Sequence, residues 1–171
     1  MSIPERLAGA WAALRGGGRG AGPVPVRVGP GAGPVPVRVG LDLLSVTRFE
    51  RIARHPGGRR MVFRPDELVY AESLGEERRA EHLAGRFCAK EAVAKALGHG
   101  LGQGLGWRDI EITRDGLGAP GARLHGRAQH LADLQGVTGV VLSLSHQDGL
   151  AVCVAVAHGA FGRSHNRRRE T

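Results

Sequence analysis

The sequence is short of cysteine and of aromatic residues, and it contains no long hydrophobic run. Its two cysteines, Cys88 and Cys153, stand far apart and form no CxxC pair. That spacing suits a reducing cytoplasm rather than a disulfide-built fold. Aromatics make up 4% of the residues, so the core has to be assembled from Ala, Val, Leu and Ile, and few rings are present to stack on nucleic-acid bases. No apolar stretch approaches the roughly 20 residues of a membrane span. The opening residues lack the order of charge, apolar run and small-residue cleavage site of a secretion signal. A cytoplasmic protein without membrane attachment is expected.

What is present is arginine. The formal net charge is +8, but it is concentrated at the ends. Residues 1–34 carry four arginines against Glu5, and residues 163–171 carry four arginines against Glu170, so the middle of the chain keeps only +2. Basic tails of this kind are usually solvated extensions. A nucleic-acid-binding module is the rival reading, and the small charge of the middle argues against it.

The chain of 171 residues has room for one domain plus extra length. AGPVPVRVG occurs twice, at residues 21–29 and 32–40. Two copies do not make a solenoid. The first copy reads as a Pro-interrupted linker and the second as the entry to the fold. Residues 1–34 are therefore expected to be a disordered extension, with a short helical possibility at 4–14. Residues 35–159 should be the domain, and 160–171 a disordered basic tail.

Within the domain, residues 35–43 read as a strand and the residues after Ser45 as a helix to about Arg54. HPGGRR (55–60) reads as a turn. A helix over 65–74 starts at Pro65 with Asp66 and Glu67 in its first turn and ends at Gly75. A long helix runs from Glu76 to about Leu97 and stops at Gly98. Strands at 109–114, 122–124, 140–146 and 150–157 follow, with a helix over 126–134 between the second and third. Asp148-Gly149 is a strong hairpin signal. These elements predict an α+β fold: a small, mostly antiparallel sheet wrapped around one long central helix.

Several residues could carry chemistry. Asp42 ends an apolar strand, where a carboxylate serves either as a helix cap or as a hard-cation ligand. On the long helix, Leu83, Phe87, Ala94 and Leu97 form an apolar stripe. Lys90 falls inside the stripe, and Glu91 and Lys95 lie at its margin. An i,i+4 salt bridge accounts for Glu91 and Lys95, and so does a site in which Glu91 joins Asp42 on Mg²⁺ while lysines meet phosphates. Arg48, Arg51 and Arg54 share one helix face, which is either solvated or a dock for an acidic partner, protein or nucleic acid. The glycines after the long helix form a C-cap and loose loop or a phosphate-approaching backbone. His146 is a strand-end histidine or a phosphate contact. The other histidines lack zinc-ligand spacing.

At these same residues the chain resembles the holo-[acyl-carrier-protein] synthase family of 4'-phosphopantetheinyl transferases. The matching pieces are VGLDLLSVTRFERI (39–52), LAGRFCAKEAVAKALGHGLG (83–102), WRDIEITRDGLGAP (107–120) and SLSH (143–146). The resemblance spans roughly 37–157. It implies a homotrimer with active sites shared between neighbours, and Mg²⁺-dependent transfer of phosphopantetheine from coenzyme A to a serine of an acyl carrier protein. It implies that Asp42 and Glu91 are metal ligands, with Glu91 and Lys95 the catalytic pair. Lys95 and His146 fall at the coenzyme A phosphates, and Arg86 with Gly98 and Gly100 near the nucleotide. Arg48 docks the carrier protein, and Arg51 and Arg54 extend that face. His99 stands where the family has a small polar residue. A third possibility is a silent homologue that binds coenzyme A without transfer, against which the presence of Asp42, Glu91, Lys95 and His146 counts.

Overall fold

The computed structural model describes residues 24–27, 34–102 and 104–160. The expectations for the rest of the first 34 residues and for the tail beyond 160 lie outside these residues. Twelve-residue strand β2 (Pro34–Ser45) enters the fold and leads directly into helix α1 (Val46–Ala53). Short helices α2 (Pro56–Val62) and α3 (Pro65–Glu72) precede the long helix α4 (Glu76–Ala96). Strands β3 (Ile110–Arg114) and β4 (Pro120–Leu124), helix α5 (Gly126–Gln135), and strands β5 (Val137–Gln147) and β6 (Leu150–Gly159) complete the domain.

With β1 (Val24–Arg27), the strands form one sheet in the order β1-β2-β6-β5-β4-β3, and every pairing is antiparallel. The expected α+β architecture holds. Helix α4 lies across the inner face, against β2 and β6 above all. From Leu83 to Ala94 every residue of α4 is buried. The helix thus loses its amphipathic character in its C-terminal half, as a helix enclosed by sheet on one side and helices on the other must. Phe49, Phe63, Phe87 and Trp107 form a chain of ring contacts beside it, with centroids 4.8–6.2 Å apart.

Local chemistry explains most boundaries. From Val39 to Leu44 strand β2 alternates: Gly40, Asp42 and Leu44 are buried, whereas Val39, Leu41 and Leu43 are exposed. Gly40 is where strand and helix touch, because a Cβ there would collide with the backbone of Ala92 and Ala96. Ser45 caps α1 by accepting from the Arg48 amide. Gly98, at φ 75°, ends α4 in the left-handed conformation. Asp148 and Gly149, both at positive φ, close the β5–β6 hairpin.

Two segments differ from expectation. HPGGRR does not form a turn; residues 56–62 are helical. Pro56 at the first helical position suits the start, and Val62 and Phe63, both at most 1% exposed, anchor the end in the core. Tertiary burial overrides the poor helix propensity of two glycines. The first copy of the repeat is not all linker, since Val24–Arg27 pairs with residues 34–37 of the second copy. A duplicate inherits the same β-prone Val alternation, and the outer edge of β2 offers it unpaired backbone groups. Pro25 is tolerated because β1 lies at the sheet edge.

Candidate active site

Asp42 is the one acidic side chain on the buried face of β2, and it is 3% exposed. Its Oδ1 accepts from Lys95 Nζ at 2.9 Å, and the same ammonium donates to the Leu41 carbonyl at 3.0 Å. Cys88 Sγ lies 3.2 Å from the Asp42 carbonyl oxygen and 3.5 Å from that of Ala151, tying α4 to β2 and β6 beneath the carboxylate. Glu91, 2% exposed, sits on α4 between Cys88 and Lys95 at i+3 and i−4, and so shares the helix face that meets Asp42. The structure thus pairs Asp42 with Lys95 and sets Glu91 on the same face of the helix. Gly98 and Gly100 follow within about a turn, at the C-terminal end of the same helix.

The electrostatics are those of a buried carboxylate incompletely compensated. Burial raises the Asp42 pKa above its ordinary 3.8, and the Lys95 ammonium opposes the rise. Asp42 Oδ2 is buried with no hydrogen-bond donor among the described residues. Such an atom is costly unless something positive meets it. Among the described residues no group of three His, Cys, Asp or Glu side chains could hold a metal. Two carboxylates, one with an open oxygen, suit a magnesium ion that completes its shell with water and phosphate oxygens. The nearby thiols are not nucleophiles: burial raises the pKa of Cys88, and pushes that of Cys153 up to about 12.

Arg86 and His146 meet elsewhere. They line a cleft of about 210 Å³ with His82, Gly85, Arg114, Gly118 and Leu144. A larger cavity of about 570 Å³ adjoins it, sharing Arg86, Arg114 and Gly118 and reaching Tyr70 and Glu111. Arg86 is 8% exposed, and its Nε is buried with no hydrogen-bond partner among the described residues. Burial, then the charges of Arg86 and Arg114, lower the His82 pKa to about 4. Arg86 and Arg114 outnumber Glu81, the acidic side chain in the lining, so the cleft is net cationic and a setting for an anion. Along α4, Arg86 and Lys95 point to opposite sides of the helix. Within one chain the structure does not join the Arg86–His146 cleft to the Asp42–Glu91–Lys95 cluster.

Arg48, Arg51 and Arg54 are all exposed on or next to α1, immediately beyond the strand that carries Asp42. Arg54 also borders a small pocket with Phe49, Arg59, Arg79 and Leu83.

Sequence reasoning missed Arg114 and His82. The helical spacing of His82 and Arg86, i and i+4, could have signalled the second. It also left Lys90 as a phosphate candidate. The structure corrects this: Lys90 Nζ is fully buried and donates to Glu67 Oε2 at 2.9 Å and to the Ile110 and Trp107 carbonyls. Glu67 also accepts from the Arg64 and Ile112 amides. The pair is structural.

The comparisons with known proteins agree on one family. The family model of the 4'-phosphopantetheinyl transferase superfamily matches residues 38–155. A holo-[acyl-carrier-protein] synthase of Moorella thermoacetica is 46% identical over 122 residues, covering 71% of this chain and 93% of the relative. A holo-(acyl-carrier-protein) synthase of Bacillus anthracis, solved with coenzyme A (3',5'-ADP), superposes with a TM-score of 0.60 at 30% identity, over 71% of this chain and 96% of that one. The Helicobacter pylori enzyme, in complex with coenzyme A, gives 0.59 at 28% identity, over 70% and 98%.

Proposed function

Because the chain belongs to the holo-[acyl-carrier-protein] synthase family of 4'-phosphopantetheinyl transferases, we propose that it transfers 4'-phosphopantetheine from coenzyme A to a serine of an apo-acyl carrier protein, releasing adenosine 3',5'-bisphosphate. The observation that carries this reading in the chain itself is the cluster of Asp42, Glu91 and Lys95, with one carboxylate oxygen buried and open.

Asp42 and Glu91 would hold Mg²⁺, which when bound neutralises charge on the pyrophosphate and orients it. Glu91 would accept the serine proton as the serine oxygen bonds to the β-phosphorus. The bond from that phosphorus to the bridging oxygen breaks, and the nucleotide leaves with it. Lys95, 13% exposed at its side chain, would meet charge developing on the phosphoryl oxygens. Arg86 and His146, with Gly98 and Gly100, would contact the nucleotide part of coenzyme A. The exposed face of Arg48, Arg51 and Arg54 would receive the acidic carrier protein, and its arginines would act mainly on encounter and orientation.

A homotrimer with shared sites belongs to this proposal. Its support is the outer face of the sheet, where Val39, Leu41 and Leu43 are 41%, 56% and 61% exposed and Val141 is 60% exposed beside Val152, Val154 and Val156. An apolar patch of this kind marks an interface. Assembly would also let the Arg86–His146 cleft of one subunit serve the carboxylates of another. No described helix is long and apolar enough to cross a membrane, and the proposal places the reaction in the cytoplasm.

The test is intact-mass measurement of an apo-acyl carrier protein incubated with the protein, coenzyme A and Mg²⁺, with and without EDTA. A mass gain of one phosphopantetheine group, abolished by EDTA and restored by excess Mg²⁺, is the expected result. Coenzyme A binding with no mass gain on several carrier proteins would overturn the enzymatic reading.

A further inference from the structure

The chain contains two lysines, Lys90 and Lys95, and each is spent on a buried carboxylate. Lys90 is locked by three acceptors and has no exposed surface. Lys95 is held differently. Its ammonium takes only Asp42 Oδ1 and the Leu41 carbonyl, its side chain keeps 13% of its surface, and it leaves Asp42 Oδ2 buried with no donor among the described residues. The Asp42 backbone is meanwhile pinned from below by Cys88. The two oxygens of one carboxylate therefore differ: Oδ1 meets the partly exposed ammonium, whereas Oδ2 has no hydrogen bond among the described residues, although the Cys88 thiol and the Leu43 amide lie close enough to the carboxylate to oppose the rise in its pKa.

We propose that Lys95 is the resident counter-cation of Asp42, neutralising Oδ1 until a divalent cation takes the carboxylate through Oδ2 and frees the ammonium for the substrate's phosphates. This rests on the reading of Asp42 as a metal ligand. It makes Lys95 a positioning residue first and a phosphate contact second. A buried carboxylate without such a partner strains the fold, and one already paired with an ammonium binds a metal less tightly than a bare one.

The experiment uses the full chain with K95M and K95R, and D42N as the reference for metal binding. Mn²⁺ binding is followed by electron paramagnetic resonance without coenzyme A, and thermal unfolding is followed with and without millimolar Mg²⁺. K95M should bind Mn²⁺ about three-fold or more tightly than wild type, because a repelling charge next to the site is gone. It should melt lower than wild type without metal and gain more from Mg²⁺. K95R, which keeps the charge, should resemble wild type in both. Equal or weaker Mn²⁺ binding by K95M, or an equal gain from Mg²⁺, overturns the counter-cation role while leaving the metal site standing. Mn²⁺ binding by D42N equal to wild type would instead bring down the metal assignment, and this proposal with it.

Discussion

Helix α4 carries two lysine–carboxylate pairs that look alike in a contact list and differ in every property that matters. Lys90 and Glu67 are sealed: both side chains are at most 2% exposed, and the ammonium and both carboxylate oxygens have partners. Lys95 and Asp42 are held at the same 2.9 Å, but one carboxylate oxygen stays open and the lysine reaches the surface. The first pair joins α3, α4 and β3, and the second joins α4 to β2. A buried ion pair whose hydrogen-bonding capacity is filled holds elements in register; one with capacity left over can bind something. Distance does not separate the two, and the carboxylates are equally buried; the exposure of the lysine and the satisfaction of the polar atoms do.

The largest expected effect comes from opening the sealed pair. K90M leaves the Glu67 charge buried without its cation, which should cost roughly 3–5 kcal/mol, measured by urea or thermal unfolding. Transfer activity per folded molecule should be little changed. If K90M instead folds normally and loses turnover, the two pairs are not divided into structural and chemical roles as described.

Next in size is the open cluster. D42A and E91Q should each lower turnover in the carrier-protein assay by about 100-fold or more, with stability close to wild type. Because burial raises the Asp42 pKa, the folded state holds a proton more strongly than the unfolded state does, so this carboxylate's contribution to stability falls as pH rises above 3.8. D42N should therefore be at least as stable as wild type at neutral pH. A large loss of stability in D42N would show that the second pair is structural too.

The smallest effect belongs to the cationic cleft, which contains neither pair. The His82 pKa is lowered from 6.5 to about 4, so the unfolded chain takes up a proton across that window and the folded chain does not. Stability should fall as pH drops from 6.5 toward 4, and H82F should lose less over the same range. Equal slopes for the two proteins would mean that His82 is not buried in its neutral form.

Much of this was legible in the chain. The long helix, its glycine stop, the Asp-Gly hairpin and the antiparallel sheet follow from periodicity and turn chemistry, which are local. Asp42, Glu91 and Lys95 stood out as charges at or inside apolar patterns, and the structure pairs Asp42 with Lys95 and keeps Glu91 buried on the same helix face. Other features were out of reach for reasons that can be named. The helix at 56–62 depends on Val62 and Phe63 finding the core, which no local pattern at HPGG reveals. The strand at 24–27 depends on an edge made available by its own duplicate. Lys90 and Lys95, five residues apart on one helix, carry no local mark that says which will be sealed.

What the sequence alone determined is most of the elements, the helix at 56–62 and the strand at 24–27 excepted, and the identity of the charged residues placed where apolar ones were expected, because backbone periodicity and turn geometry are properties of neighbours in the chain. The tertiary structure decided how those charges were spent. Glu67 lies 23 residues before Lys90 and closes around it, whereas Asp42 lies 53 residues before Lys95 and keeps one oxygen open. Whether a buried polar atom is satisfied depends on every group that packs around it. That is settled only when distant strands and helices meet.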